Sequence, residues 1–185
     1  ERMRQMKQGL IPGDVVEAKG LMAVAEKMLV AARTAPKARG RDKLVSAIVT
    51  PGPVLDQIRE KMVELGKETG FGAFTRDAEN IAGVQAMVLL GTKLGSLGLP
   101  ACGFCNFGTC EGMEAAKGLC AYNAGDLGVA VGSAVSVAAD HRVDNRVMYT
   151  VGSAVVRLGI LGDDVGIAYG IPLSVNGKNI FFDRR

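Results

Sequence analysis

The four cysteines of this 185-residue chain lie within nineteen consecutive positions, and the rest of the sequence contains none. They follow the spacing C-x2-C-x4-C-x9-C and are Cys102, Cys105, Cys110 and Cys120. Scattered structural cysteines are not expected to group in this way, whereas a soft metal centre needs several thiolates close together. The spacing therefore requires this segment to fold around one small volume, and it predicts a metal centre there.

The residues between the cysteines suit a four-iron cluster, which needs four thiolates directed at one site. The C-x2-C step lets two sulfurs converge from one tight turn, and Gly103 and Gly108 supply the backbone freedom for it. Backbone N–H groups of a glycine-rich turn can also help to carry the negative charge of a cluster. We expect a short helix over residues 109–117 to return Cys120 to the other cysteines. Phe104 and Phe107 would give the site an apolar cover.

Other interpretations of the cysteines remain open. A structural zinc also takes four cysteines, but often as two C-x2-C pairs, and only one such pair is present. Cys102 and Cys105 could form a thioredoxin-like redox pair, and buried thiols can be inert. A disulfide framework is typical of small secreted proteins and does not suit a chain of this kind.

The segment over residues 101–120 resembles the four-iron domain of corrinoid iron–sulfur proteins and of some membrane electron-transport subunits. Their pattern is C-G-x-C-G-x-x-T-C, then a short helix and a fourth cysteine. Here Asn106 replaces the second glycine, and the gap to the last cysteine is shorter than usual. The resemblance implies one [4Fe-4S] cluster whose ligands are Cys102, Cys105, Cys110 and Cys120.

The whole chain resembles a prokaryotic family of uncharacterised proteins that contain a ferredoxin domain. The motifs that carry this resemblance are VDNRVMY at residues 143–149, IPLS at 171–174 and GKNIFFDR at 177–184. The family implies no settled activity. The length fits one domain over residues 1–185, with the cluster segment at 101–120 inside it.

Composition limits the classes of partner and the location. The net charge of +3 is too small, and the arginines too scattered, to indicate nucleic-acid binding. No apolar run reaches the roughly 20 residues of a membrane span, and the polar first residues show no signal peptide. Grouped thiols without a targeting signal favour a reducing compartment, so we expect a cytoplasmic protein.

The apolar spacing predicts helices and strands in an α+β order. Helices are expected over residues 14–34, 54–66, 124–139 and 146–158, and strands over 44–50, 84–90 and 165–170. Asp144 or Asn145 is expected to cap the helix at 146, and Pro172 to end the last strand. Residues 1–11 are predicted to form a loose lead-in, and residues 176–185 a terminal arm.

This order resembles the nitroreductase fold, which implies a mixed sheet flanked by helices. AARTAPKA at residues 31–38 is similar to that family's A-P-S-A loop, part of its flavin site, although Lys37 replaces the serine. IAYGIP at residues 167–172 is similar to its late strand ending in G-x-P. The resemblance implies a homodimer and possible FMN binding, with phosphate candidates Arg33, Lys37, Arg39 and Arg41.

The leading functional hypothesis is an iron–sulfur redox protein that exchanges electrons with a partner protein or a small electron acceptor, and that could be an oxidoreductase. The alternatives are an FMN-dependent, nitroreductase-like oxidoreductase and a non-catalytic zinc-stabilised or redox-sensing module. A hydrolytic triad is not indicated, because His141 is the only histidine and no nucleophile pattern accompanies it.

Overall fold

The structure is a computed structural model that describes residues 9–182. Most of the predicted lead-in at residues 1–11 and the end of the predicted terminal arm lie outside the described residues. The helices are α1 (Gly13–Thr34), α2 (Pro53–Thr69), α3 (Ala73–Asn80), α4 (Cys110–Ala115), α5 (Ala121–Asp140) and α6 (Tyr149–Arg157), with a 3-10 turn at Ala38–Gly40. The strands are β1 (Leu44–Val49), β2 (Ala86–Lys93), β3 (Asp144–Asn145) and β4 (Val165–Ser174). Within residues 9–182, none of the helices has the length and apolar character that a bilayer crossing requires.

The four strands form one sheet in the order β1-β2-β4-β3. Every strand pair within the described residues is antiparallel, whereas the nitroreductase resemblance implies a mixed sheet. The α+β class predicted from the sequence is confirmed. β2 is the buried central strand, as its nearly continuous apolar run predicts.

Helices cover both faces of the sheet, and β2 supplies alternate side chains to the two faces. Ala86, Val88 and Leu90 pack with the apolar side chains of α1 and α5. Met87 and Leu89 pack on the other face with α2, α3 and α6. The core is therefore two apolar layers that share one central strand.

The last strand runs through Pro172 to Ser174, so the prediction that this proline ends the strand is wrong. Gly170 exchanges backbone hydrogen bonds with Met148 on the side of β4 away from β2. Alternate residues of a strand direct their backbone groups to the same side, so the nitrogen of Pro172 also points away from β2. There it falls between Met148 and β3, which reaches only to Asn145, so that the missing N–H costs no ladder hydrogen bond.

The predicted cap of the following helix is also wrong. Asp144 and Asn145 form β3 and pair with Ser174 and Leu173, and α6 begins later, with Met148 at its N-cap position. Polar residues before a helix are good caps when their side chains are free to turn back. Here the backbone of Asp144 and Asn145 is paired with β4, so these residues do not lie at the N-cap position of α6.

Candidate metal centre

The four cysteines lie in the connection between the central strand β2 and helix α5, outside the two apolar layers. Cys102 and Cys105 belong to the loop, Cys110 begins α4, and Cys120 directly precedes α5. All four side chains line one narrow pocket, together with apolar groups from the same connection. The structure thus brings together the residues that the sequence spacing predicted to converge.

Left-handed backbone conformations fold the loop back on itself. Gly103 and Gly108 have φ of 56° and 74°, which glycine adopts without strain, and Asn106 has φ of 66°. Asparagine is among the few other residues that tolerate this region, so it can stand where the resembling pattern has a glycine. The N–H of Asn106 donates to the carbonyl oxygen of Gly103 over 2.9 Å. This turn lets the first three cysteines line the same pocket.

Helix α4 is short and well closed at both ends. At its start the Thr109 hydroxyl accepts a hydrogen bond from the N–H of Gly112. The Glu111 backbone N–H and the Thr109 hydroxyl lower the pKa of the Glu111 carboxyl, against a smaller opposing effect of burial. At its end the N–H groups of Lys117 and Gly118 donate back to Glu114 and Met113, a Schellman arrangement. These contacts reverse the chain within a few residues and so bring it back to Cys120.

The pocket has an apolar inner wall and an exposed outer rim. Cys120 is buried and packs with Leu97 and Met113. Phe104 lines the outer side and contacts Tyr122 with ring centroids 5.5 Å apart, but it is 68% exposed. The predicted aromatic cover is therefore a rim that leaves one side open to solvent.

Phe107 has a separate role in this segment. Its ring lies directly against Gly118, where a Cβ atom would come within 2.5 Å of the ring. A larger residue at position 118 would have to displace the ring, so the absence of a side chain there allows Phe107 to pack the middle of the cysteine loop against the end of α4.

The donor set fits an iron–sulfur cluster in chemistry, since four thiols share one apolar pocket. The amide N–H groups of Gly103, Phe104 and Cys105 make no hydrogen bond within the described residues, and they are available to sulfur. Among residues 9–182, no three His, Cys, Asp or Glu side chains are arranged to hold a single metal ion. Thiolates of a four-iron cluster bind different irons, so they need not meet at one ion.

The volume of the cysteine pocket is too small for a cluster as the loop now stands. The pocket encloses about 20 Å³, room for about one water molecule, so the loop would have to move outward to admit a cluster or an ion. The hydrogen bonds that the described structure gives residues 101–109 all end within residues 103–113. The loop can therefore shift without breaking hydrogen bonds to the sheet or to the other helices.

The four predicted flavin-phosphate residues are engaged with the protein itself. Lys37 donates from Nζ to the carbonyl oxygens of Ala32 and Arg33, each over 2.7 Å, and so caps the C-terminus of α1. Arg33 pairs with Asp42 and donates to the carbonyl oxygen of Leu44. Partial burial opposes ionisation of Asp42, but its bonds to Arg33 and to the Leu44 amide outweigh this and lower the pKa of the carboxyl.

Arg39 and Arg41 hold the segment that leads into the cysteine loop. Arg39 Nη1 lies 3.3 Å from the carbonyl oxygen of Gly98, and Arg41 Nη1 lies 3.1 Å from that of Leu97. Lys43, which the sequence did not single out, donates to the carbonyl oxygen of Gly95 over 2.7 Å. No local pattern could have identified these contacts, because the partners are more than fifty positions apart.

A second carboxylate besides Asp42 holds the basic loop that follows α1. Both carboxylate oxygens of Asp126, on α5, accept from the N–H of Ala38 at 3.1–3.2 Å. Beside it a polar pocket of about 10 Å³ is lined by Lys37, Lys43 and Tyr122, among others. This pocket does not admit a flavin as it stands.

A wide groove lies elsewhere on the surface, between α2 and α3. It measures about 610 Å³ and is lined mainly by charged side chains of both signs, including Glu60, Glu64, Arg59 and Lys67. No thiol or histidine lines it. This groove therefore lacks the soft thiol ligands that the cysteine pocket offers.

Two comparisons with other sequences bear on this site. A protein of Archaeoglobus fulgidus described as "Uncharacterized protein" is 38% identical over 173 residues, which cover 89% of this chain and 92% of the relative. Residues 116–184 match the family described as "Uncharacterized protein containing a ferredoxin domain". That match includes Cys120 and stops short of the other three cysteines.

Comparison with solved structures concerns the fold. A nitroreductase with bound FMN from Bacteroides fragilis superimposes with a TM-score of 0.58 at 10% identity, over 98% of this chain and 87% of that one. A nitroreductase with bound FMN from Desulfitobacterium hafniense gives a TM-score of 0.57 at 14% identity, over 95% and 84%. The chain therefore has a nitroreductase-like fold, as its element order predicts.

Proposed function

This chain belongs to the family of uncharacterised proteins that contain a ferredoxin domain, and from that premise we propose that it is an iron–sulfur redox protein. Cys102, Cys105, Cys110 and Cys120 would hold one [4Fe-4S]-type cluster. The single observation that carries this proposal is that all four cysteines of the chain line one apolar pocket.

The protein's own residues would do three things at such a site. The thiolates would bind iron, and the amide N–H groups of Gly103, Phe104 and Cys105 would stabilise the negative charge of the sulfurs. Leu97 and Met113 would exclude water on the inner side. A cluster held there supplies single-electron transfer. The open rim beside Phe104 leaves a short path to a redox partner protein or a small electron acceptor.

The test is the iron and acid-labile sulfide content of protein purified without oxygen, with absorption spectra before and after dithionite. We expect a broad band that bleaches on reduction, and loss of most iron in the single Cys→Ser variants. Met113 lines the same pocket but supplies no thiolate, so Met113→Leu is the matched control and should keep its iron. If no preparation contains iron or acid-labile sulfide, the proposal is wrong. About one zinc per chain would favour a zinc-stabilised module.

A second candidate, an FMN-dependent oxidoreductase, is favoured by the likeness to FMN-bound nitroreductases. Its phosphate would have to compete for Lys37, Arg39 and Arg41 with the carbonyl oxygens that these cations now bind. Two resolved flavin absorption bands, from a flavin released on denaturation, would support this candidate. Protein that binds no added FMN in equilibrium dialysis would eliminate it.

The assembly and the location stay predictions. On the nitroreductase resemblance we propose a homodimer, and on the grouped thiols a cytoplasmic protein. Light scattering of the purified protein measures the first directly, and a monomer at all concentrations would contradict it.

A further inference from the structure

A cleft between α6 and β4 forms a second site that is independent of the cysteines. It measures about 240 Å³, and its helical wall carries Tyr149, Ser153 and Arg157. These residues are spaced by four positions, so they form one stripe along the helix. The opposite wall is the strand segment from Gly166 to Tyr169.

The walls of the cleft are fixed by close backbone packing. A Cβ atom at Gly152 would lie 1.7 Å from the carbonyl oxygen of Ala168, so α6 lies directly on the strand. Gly166 is the extra residue of a bulge, because Thr92 pairs with Ile167 while Lys93 pairs with Val165. Bulges of this kind are common beside binding sites, where they redirect a strand.

The polar groups of the cleft are uncommitted. Within residues 9–182, neither the Arg157 guanidinium nor the hydroxyl groups of Ser153 and Tyr149 have a hydrogen-bond or ion-pair partner. The Asp163 carboxylate lies beside Gly159, but it is not within ion-pair distance of Arg157. The cleft therefore offers a cation and hydrogen-bond donors in one stripe, and it contains no carboxylate in its lining.

The remaining lining is aromatic and aliphatic. On the helical wall, Tyr149 contributes a ring and Val156 contributes aliphatic surface. The side chains of Ile167 and Tyr169 pack with the core layer of α1 and α5, so this part of β4 lines the cleft with its backbone and with Ala168. Tyr149 is held in place by an edge-on contact with Phe74 at a centroid distance of 6.1 Å. A planar ring can pack on such side chains.

We propose that this cleft binds a monocyclic aromatic acid. Its carboxylate would pair with the planar guanidinium of Arg157 and accept from the Ser153 hydroxyl, and its ring would lie against Tyr149 and Val156. The cleft is smaller than the roughly 300 Å³ at which pockets for drug-sized ligands begin, which limits the ligand to about one ring.

The experiment is a titration of the full chain with benzoate. Binding is measured by calorimetry and by the amide chemical shifts of residues 149–169. We expect saturable binding at millimolar concentrations, and weaker binding of neutral benzyl alcohol. Arg157→Met should weaken benzoate binding about tenfold or more, because a charge-assisted bidentate pair is lost. Arg157 is exposed, so this variant should keep the wild-type melting temperature.

Lys67→Met, in the charged groove between α2 and α3, is the matched control for loss of one positive charge. It should bind benzoate as the wild type does. Unchanged affinity in Arg157→Met would overturn the proposal. So would an equal loss in Lys67→Met, or the absence of saturable binding by the wild type. None of these readouts depends on the content of the cysteine pocket.

Discussion

Arg41 donates from Nη1 to the backbone carbonyl oxygen of Leu97 over 3.1 Å and thereby ties the basic loop after α1 to the root of the cysteine loop. The bond joins the two regions that the sequence marks as functional. Leu97 is buried and packs directly with Met113 and Cys120, so the contact reaches the wall of the candidate metal centre. The basic loop thus has a structural role at the cysteine pocket whether or not a flavin binds.

Replacing Arg41 by methionine should loosen this root while leaving the fold intact. The lost bond joins a charged group to a carbonyl oxygen but is partly exposed, so we expect a global cost of at most about 1 kcal/mol. Hydrogen exchange should accelerate at residues 95–100 and stay unchanged in β2. Arg157→Met removes an arginine outside this contact and is the matched control. Unchanged exchange at residues 95–100 would show that Arg41 does not hold the segment.

Lys37 should matter for the stability of α1. Its ammonium group satisfies carbonyl oxygens at the last turn of the helix, where positive charge is also favoured by the helix dipole. We expect Lys37→Met to lower the free energy of unfolding by about 1 kcal/mol, measured by urea denaturation. Arg39→Met, which leaves this cap intact, should cost less. A larger effect on flavin content than on stability would instead assign Lys37 to a phosphate.

The pair of Arg33 and Asp42 should give the basic loop an acid-sensitive element. The pKa of Asp42 lies below its ordinary value of 3.8, so the ionised carboxylate is stabilised in the folded state. Its contribution is complete above that ordinary value and is lost as the pH falls through the lowered pKa.

We therefore expect Asp42→Asn to be less stable than the wild type at neutral pH, by less than about 1 kcal/mol because the pair is partly exposed. The difference between the two proteins should shrink in urea denaturation below pH 3.8, where the wild-type carboxyl also becomes neutral. A difference that is constant down to the lowest pH would mean that the ion pair is not its source.

Local sequence signals predicted most of the fold. The predicted strand at residues 84–90 became β2 at Ala86–Lys93, and the helix at 124–139 became α5 at Ala121–Asp140. The errors arose where tertiary pairing overrode a local preference. Pro172 sits inside β4 because its nitrogen faces an unpaired side of the strand. Asp144 and Asn145 form a strand because their backbone pairs with Ser174 and Leu173 of β4.

The sequence predicted that the four cysteines lie together, but it did not predict the contacts that hold the segments around them. Spacing and glycine content were sufficient to place the four thiols together, because those signals are local. The cations after α1 were predicted to bind a phosphate, yet Arg39 and Arg41 contact carbonyl oxygens in a distant segment. A lysine just beyond a helix end is a known capping signal, so the contact of Lys37 could have been found from sequence.

Gly152 should be the least replaceable glycine of the sheet-facing helices. A Cβ atom there would meet the carbonyl oxygen of Ala168 at 1.7 Å, and this neighbour is strand backbone that cannot turn aside. We expect Gly152→Ala to lower the free energy of unfolding by about 3 kcal/mol or more, measured by urea denaturation. Gly125→Ala is the matched control, since Gly125 lies on the exposed side of α5 with open space around it. That change should stabilise the protein by about 0.5–1 kcal/mol, because alanine is the better helix former. Equal stability of the two variants would contradict the direct packing of α6 on β4, and with it the walls of the proposed cleft.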